Sequence, residues 1–223
     1  MKDHEIAARA LLLANLPADV RAGLLARADT LTLPTGGLLF REGEPATAAF
    51  IVVSGMVKLS TNSADGVEAV IGLYEPGESL AEALSLTGAP FPVDAVALRP
   101  ARVLSVPHAA IRDTLLSDPE AMIGLLAATF RHLHQLLWQV RSLKTRQGTE
   151  RLALFLLEQA EKAGGPVFPL PCEKIVLAGY LGMTPESLSR ALRALRAHGA
   201  SVDGTLVSMT DPKALQRFLS RAD

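Results

Sequence analysis

The sequence predicts an α+β protein in three consecutive parts: a roll or sandwich of short strands, one long helix, and a winged helix-turn-helix. Three observations point there. Short apolar runs broken by turn residues fill the stretch from Leu31 to Pro107. An apolar seam at heptad spacing runs from Met122 to Leu143. A helix, a tight turn and an amphipathic helix then lie between Glu173 and Gly199, with a hairpin sequence after them. The chain has 223 residues. At roughly 150 residues per domain, that allows one large or two modest domains.

Composition excludes several classes. Hydrophobic residues make up 49% and charged residues 20%, enough apolar surface to rule out disorder as the dominant state. Cys172 stands alone, so neither an intramolecular disulfide nor a cysteine-based metal cluster can form. No apolar run reaches the ~20 residues that span a bilayer, so no membrane association is expected. The start, Met1-Lys2-Asp3-His4-Glu5, lacks the apolar core of a signal peptide. A cytoplasmic protein is the expectation. The formal net charge is −1. Residues 1–140 carry −5 and residues 141–223 carry +4. An acidic front and a basic back suggest a DNA- or membrane-facing C-terminal module, although chance asymmetry between two ordinary domains accounts for the charge equally well.

The first thirty residues read as helical. Ala7, Ala8, Leu11 and Leu12, then Val20, Leu24 and Leu25, recur at 3–4 spacing, with a break at Leu16-Pro17. Strand-like runs follow at Gly37–Phe40, Ala48–Ser54, Met56–Ser60, Glu68–Leu73, Val93–Leu98 and Ala101–Val106. Turn residues separate them: Pro34, Gly43, Gly55, Asn62 to Gly66, Pro76-Gly77, Gly88, Pro90 and Pro100. Pro107 opens a short helix carrying Ile111, Leu115 and Leu116. Residues 1–116 are thus the predicted roll domain with N-terminal helices.

The long helix, residues 117–145, starts at Ser117-Asp118-Pro119, a capping residue followed by a helix-starting proline. With Leu126, Leu133 and Val140 at heptad position a, position d falls on Met122, Thr129, Leu136 and Leu143. Phe130 and Leu137 lie beside the seam. These seven residues predict a two-helix coiled coil and a symmetric homodimer. An amphipathic helix packed on its own domain explains the pattern too, and the stripe is broad enough for both. Polarity rises at Arg146 to Thr149, which marks a hinge into a third part, residues 146–223. A helix from Glu150 to Lys162 follows, with Leu152, Phe155, Leu156 and Gln159 on one side and Gly164-Gly165-Pro166 ending it.

The stretch EKIVLAGYLGMTPESLSRALRALRAHG, Glu173 to Gly199, carries the functional signal. Ile175, Leu177, Ala178 and Leu181 supply the apolar side of its first helix. Gly182 allows the sharp turn. Thr184 is a plausible N-cap with Pro185 at the first helical position. The second helix buries Leu188, Leu192 and Leu195, while Glu186, Ser189, Arg190 and Arg193 project together from the other face. That face suits the major groove of double-stranded DNA. An arginine donates two hydrogen bonds to guanine, and a glutamate accepts from cytosine. Lys174, Thr184, Ser187, Arg193 and Arg196 are the candidate phosphate contacts. A plain helical hairpin with a salt-bridged surface is the alternative, since Glu186 and Arg190 stand four apart. The β-forming Val202 to Val207 around Asp203-Gly204 favours a winged helix-turn-helix.

These residues resemble the Crp/Fnr superfamily of bacterial transcription regulators over nearly the whole chain. The resemblance rests on Phe40-Arg41-Glu42-Gly43-Glu44, on Phe50-Ile51-Val52-Val53-Ser54-Gly55-Met56-Val57-Lys58-Leu59, on Pro76-Gly77-Glu78-Ser79-Leu80, and on LGMTPESLSRAL from Leu181 to Leu192. It implies a jelly roll like a cyclic-nucleotide-binding domain, a dimerisation helix, a homodimer on double-stranded DNA and contact with RNA polymerase. It also implies that the protein is not an enzyme. Glu186-x-x-Ser189-Arg190 looks like the Fnr-type pattern, which implies TTGAT-N4-ATCAA palindromes. Arg190 would read guanine, Glu186 the cytosine opposite and Ser189 a thymine.

The resemblance places an effector pocket at Glu78, Leu80, Leu84 and Val93. The residues themselves speak against cyclic AMP. Where a phosphate-binding arginine is expected the chain reads Phe91-Pro92-Val93-Asp94-Ala95, and Asp94 would repel a phosphate. One cysteine cannot hold an iron–sulfur cluster. An Fnr-like reading head without that cluster is similar to the nitric-oxide-responsive denitrification-regulator branch, which implies haem. His134 on the long helix and His4 on the N-terminal segment are its candidate axial ligands. His132 and His134, two apart on a helix, cannot grip one metal together. Two other classes remain open: a cyclic-nucleotide-responsive regulator and a roll-fold binding scaffold without DNA function. A cupin-like metalloenzyme is disfavoured, because the roll from Leu31 to Pro107 contains no histidine.

Overall fold

A computed structural model of the chain describes residues 2–62 and 68–220. Most of the expected turn from Asn62 to Gly66 therefore lies outside the described residues. The chain divides into two compact units, Met1–Gln135 and Leu136–Asp223. The division falls inside the long helix.

In the first unit, α1 (Lys2–Ala7) and α2 (Ala18–Ala26) flank a run of turns, so the helical reading of the first thirty residues holds only at its two ends. A six-stranded sheet follows: β1 (Asp29–Leu33), β2 (Leu38–Phe40), β3 (Ala48–Asn62), β4 (Glu68–Tyr74), β5 (Ser79–Leu80) and β6 (Asp94–Pro107). Its central order is β1-β6-β3-β4, with β2 pairing β6 and β5 pairing β3, all antiparallel. β1 and β5 are too short and too polar at their ends to show in the sequence pattern.

Two long strands, β3 and β6, replace four predicted short ones. Their pairing slips between Val52 and Val57, where both strands bend together. Gly55 sits at that bend with φ +83°. A Cβ there would stand 2.4 Å from the Pro100 carbonyl oxygen, so only glycine fits. Gly55 and Pro100 look like turns in the sequence, but they mark one bend shared by two strands.

Side-chain alternation along β3 then builds two cores. Ala49, Ile51 and Val53 face one way, with Leu104 and Val106 of β6, and are covered by Leu12, Leu13, Leu16, Leu24 and Leu25 of the N-terminal segment. Phe50, Val52 and Val57 face the roll interior with Phe40, Leu80, Phe91, Ala95, Ala97 and Val103.

Between β5 and β6 lies the six-residue α3 (Glu82–Thr87). After β6 come α4 (His108–Ser117) and α5 (Pro119–Thr145). α4 buries Ile111, but Leu116 is 72% exposed, because the buried stripe of this ten-residue helix passes on its far side. Asp118 caps α5 by accepting from the amides of Glu120 (3.0 Å) and Ala121 (3.4 Å). α5 buries Ala121 and Leu125 in its own domain, while Met122, Leu126, Thr129, Leu133, Leu136, Val140 and Leu143 are all exposed.

In the second unit, α6 (Gly148–Ala163) buries Leu152, Ala153, Phe155 and Leu156 and stops at Gly164, in the left-handed conformation. The strands β7 (Val167–Pro169), β8 (Ala200–Asp203) and β9 (Leu206–Met209) form a small sheet in the order β7-β9-β8. Two helices, α7 (Lys174–Tyr180) and α8 (Pro185–Leu195), lie between β7 and β8, and α9 (Pro212–Ser220) closes the fold. The wing turns one residue later than its Asp-Gly sequence suggests. Asp203 pairs with Leu206, which leaves Gly204-Thr205 as the loop, with Gly204 at φ +58°. Glycine at the first of two loop residues suits the twist of a tight hairpin. Among the described residues, no helix is long and apolar enough to cross a membrane.

Candidate nucleic-acid interface

α7, the turn Leu181 to Thr184 and α8 form the helix-turn-helix. Leu177, Ala178 and Leu181 are buried in the domain core, as expected. Ile175 is not: it is 64% exposed, because the seven-residue α7 starts only one residue before it and turns it outward. α8 buries Leu188, Ala191 and Leu195. Leu192, expected inside, is half-buried and packs at the edge of the core, and Ala191 is buried instead. Gly182 has φ +62° and so makes the turn that the sequence assigns to it.

The opposite face of α8 is polar and open. Glu186, Ser189, Arg190 and Arg193 are all exposed, as are Lys174, Thr184 and Arg196. Thr184 caps the helix, accepting from the Ser187 amide at 3.2 Å, and Pro185 occupies the first turn. Ser187 is half-buried, and its hydroxyl accepts from Arg190 Nη2 at 2.8 Å. The guanidinium is thus held near the N-terminal end of the helix before any partner arrives. Ser189 donates back to the Pro185 carbonyl at 2.9 Å, which leaves its oxygen lone pairs and β-carbon facing outward. The Glu186 carboxyl is held below the usual carboxylate range, first by its own backbone amide, then by the Thr184 hydroxyl, with the Arg190 charge adding to both. It stays ionised at neutral pH and can only accept hydrogen bonds.

The predicted effector residues lie in the roll of the first unit. Leu80 is buried in the roll core, Leu84 packs against that core from α3, and Val93 is half-buried just before β6. Glu78 is a loop carboxylate whose Oε2 accepts from the Glu75 amide at 2.8 Å. Sequence reading missed Ala81. This residue adopts φ +66° at the N-cap of α3, and among the described residues no other non-glycine has positive φ. Nothing in its own chemistry signals that; Gly or Asn would have.

The roll interior is filled with side chains. Phe91 stacks on Phe40 with ring centroids 3.7 Å apart, and Phe50 closes the cluster at 5.6 Å from Phe40. Asp94 Oδ1 accepts from the Glu42 amide at 2.8 Å and so staples a surface loop. As packed, the interior leaves no room for a cyclic nucleotide among Phe40, Phe50 and Phe91, and Asp94 offers a carboxylate rather than a cation. A porphyrin does not fit either. His4 and His134 are both exposed and lie outside the roll interior, while the side chain of His132 lies outside the described ones. Among the described residues, no three metal-ligating side chains come together.

Known proteins divide along the same two parts. Residues 30–118 match the cyclic nucleotide-binding domain family, and residues 150–218 match the Crp-like helix-turn-helix domain. A solved regulatory protein of Silicibacter pomeroyi DSS-3, described as a candidate cAMP-binding protein, is 37% identical, covers 98% of each chain and superposes with a TM-score of 0.73. The CRP-like cAMP-activated global transcriptional regulator of Mycobacterium tuberculosis is 26% identical across 96% of this chain and 98% of its own. The nitrogen fixation regulation protein FixK of Bradyrhizobium diazoefficiens is 27% identical across 82% of this chain and 78% of its own. These are transcription regulators and not enzymes. With a roll, a long helix and a winged reading head in that order, the chain belongs to the Crp/Fnr family of DNA-binding transcription regulators.

Proposed function

We propose that the protein acts in the cytoplasm as a homodimer that reads TTGAT-N4-ATCAA palindromes and engages RNA polymerase there. One observation carries this reading: Glu186, Ser189 and Arg190 share one exposed face of α8, with the arginine pre-oriented and the glutamate ionised. Arg190 reads guanine with two donors, Glu186 accepts from the cytosine amino group and Ser189 meets a thymine. Lys174, Thr184, Ser187, Arg193 and Arg196 contact phosphates and set the register. Dimer formation is supported by the seven exposed seam residues of α5, which repeat at a and d positions and keep much of their apolar surface open. A dimer presents two such heads to two half-sites about one helical turn apart.

The effector acts on the roll, and it selects one of two arrangements already accessible to the dimer. The resemblance to the denitrification-regulator branch makes nitric oxide the proposed signal. A haem with His134 or His4 as axial ligand would have to sit outside the roll interior as packed, so the DNA-reading mechanism here is derived without it. The test of function is a mobility shift of the full chain on a TTGAT palindrome against a scrambled duplex at fixed salt. A clear preference for the palindrome is expected, and equal affinity for both duplexes overturns the reading.

A further inference from the structure

The second unit begins at Leu136, so the last turns of α5 belong with the DNA-binding fold. Several contacts hold them there. Gln139 Nε2 donates to the Tyr180 hydroxyl at 3.0 Å. The Leu143 side chain lies over the helix-turn-helix turn, where a Cβ on Gly182 would stand 2.9 Å from Leu143 Cδ2. A Cβ on Gly148 would stand 2.7 Å from Met183 Cε, so the start of α6 also packs on that turn.

Arg151, half-buried on α6, ties these pieces together. Its Nε donates to the Leu181 carbonyl at 2.8 Å and its Nη2 to the Gly182 carbonyl at 3.2 Å. Its Nη1 donates to the Arg146 carbonyl at 2.6 Å. All three acceptors lie just past the ends of helices, α7 in two cases and α5 in the third, where carbonyls lack intrahelical partners. A planar guanidinium can serve three carbonyls in fixed directions, and an ammonium cannot. The polar segment Arg146 to Thr149, which reads as a hinge in the sequence, is thereby fastened to the turn that precedes the reading helix.

We infer that Arg151 is a positioning residue that locks the helix-turn-helix turn to the C-terminal end of α5. Movement of that helix end is carried directly to α8, and the stretch 146–149 moves as part of the DNA-binding unit. The inference rests on the reading that α8 reads DNA.

The test uses Arg151→Met and Arg151→Lys in the full chain. Hydrogen–deuterium exchange follows three segments: the end of α5, the turn with the start of α8, and α9 as an internal reference. Exchange at the first two should rise together by about tenfold in R151M, the loss expected when a charge-assisted hydrogen bond is removed, and by less in R151K. α9 should be unchanged. On DNA, specific affinity should fall by about tenfold and nonspecific affinity should hold. A merely structural residue would instead raise exchange across the whole domain, α9 included, and lower both affinities in proportion. That result, or unchanged exchange at the turn, overturns the inference. If R151M does not fold, R151K decides by the same comparison. If the wild-type chain shows no sequence preference, the DNA reading fails, while the exchange measurement still judges the lock.

Discussion

Replacing Arg190 by alanine isolates the base-reading step. The side chain is exposed, hydrogen-bonds the half-buried Ser187 and stands near enough to Glu186 for its charge to be felt there. Loss of an exposed group changes folding stability by no more than about 0.5 kcal/mol, so the thermal midpoint should hardly move. The effect on recognition is much larger. A bidentate arginine–guanine contact gives about 1–3 kcal/mol of discrimination per base pair. A two-fold dimer makes the contact twice, so the loss is about 2–6 kcal/mol. At 1.4 kcal/mol per decade, that is about 30-fold to beyond 10⁴-fold. Competition mobility shifts at fixed salt, palindrome against scrambled duplex, would measure it. The slope of affinity against salt should change little, because the phosphate-contacting groups remain. Arg190→Lys should recover only part of the preference, since an ammonium cannot present two parallel donors. Wild-type preference should be flat from about pH 6 to 8, because the Glu186 carboxyl is held below its ordinary value and stays ionised throughout that range. An R190A protein that still prefers TTGAT over the scrambled sequence refutes the assignment.

Three further outcomes follow from the same structure. Leu133 is 48% exposed at a seam position, so Leu133→Glu removes about half a leucine burial from each chain. At about 1.5–3 kcal/mol per leucine, that raises the dimer dissociation constant by about 10- to 100-fold, before charge repulsion. Sedimentation at micromolar concentration would show it, and an unchanged dimer would remove α5 as the seam. Phe91 is 4% exposed and stacked on Phe40, so Phe91→Ala should cost about 3–5 kcal/mol in chemical unfolding; a loss below 1 kcal/mol would mean that the roll interior is not packed as described. Lys58, 8% exposed, pairs with Glu68 and holds that carboxyl below its ordinary value of about 4.5. A depressed carboxylate stabilises the fold above the unfolded value and loses that contribution as pH falls through the folded one. Wild type should therefore lose stability more steeply than Lys58→Met below about pH 4.5, by a modest, salt-sensitive amount because Glu68 is half exposed. Parallel acid-unfolding curves would contradict this.

The reading head was the most legible part of the chain because its constraints are local. Thr184-Pro185 caps a helix by its own chemistry, and leucines at 3–4 spacing select the buried face. The misjudged positions there, Ile175 and Leu192, lie at element edges, where one residue of shift in the helix start changes what is covered. The roll was legible as a class but not in its details. β3 and β6 each bend at Gly55 and Pro100, and a bend and a turn carry the same residues. Only the pairing of the two strands separates them, and that pairing is long-range. The left-handed Ala81 gives no signal at all, since its conformation is imposed by the junction between β5 and α3. Arg151 was invisible for a related reason: an arginine on an amphipathic helix looks solvated until the three carbonyls that it serves are brought around it.

The phenylalanine cluster constrains how a signal can enter the roll. Phe40, Phe50 and Phe91 come from β2, β3 and the segment after α3, so they join the frame of the roll to its most irregular connection. Phe91 is the member carried by that connection. Its own backbone is held on both sides, its amide donating to the Glu44 carbonyl at 2.9 Å and its carbonyl accepting from the Gly43 amide at 2.8 Å. An effector that took this ring's place would have to expel it. Expulsion forfeits roughly the 3–5 kcal/mol that the ring contributes. A ligand that filled the vacated space would bind only the arrangement with the ring expelled, so its contact energy would count wholly toward shifting the population and would have to exceed that cost to reverse it. A small diatomic gas is too small to refill the space by itself. A large planar apolar molecule could do so, but only by remaking the segment between α3 and β6. If a signal enters through the roll interior, its effect should depend on the position of Phe91, and Phe91→Ala, which leaves the space open at the outset, is the variant in which dependence on ligand should weaken first.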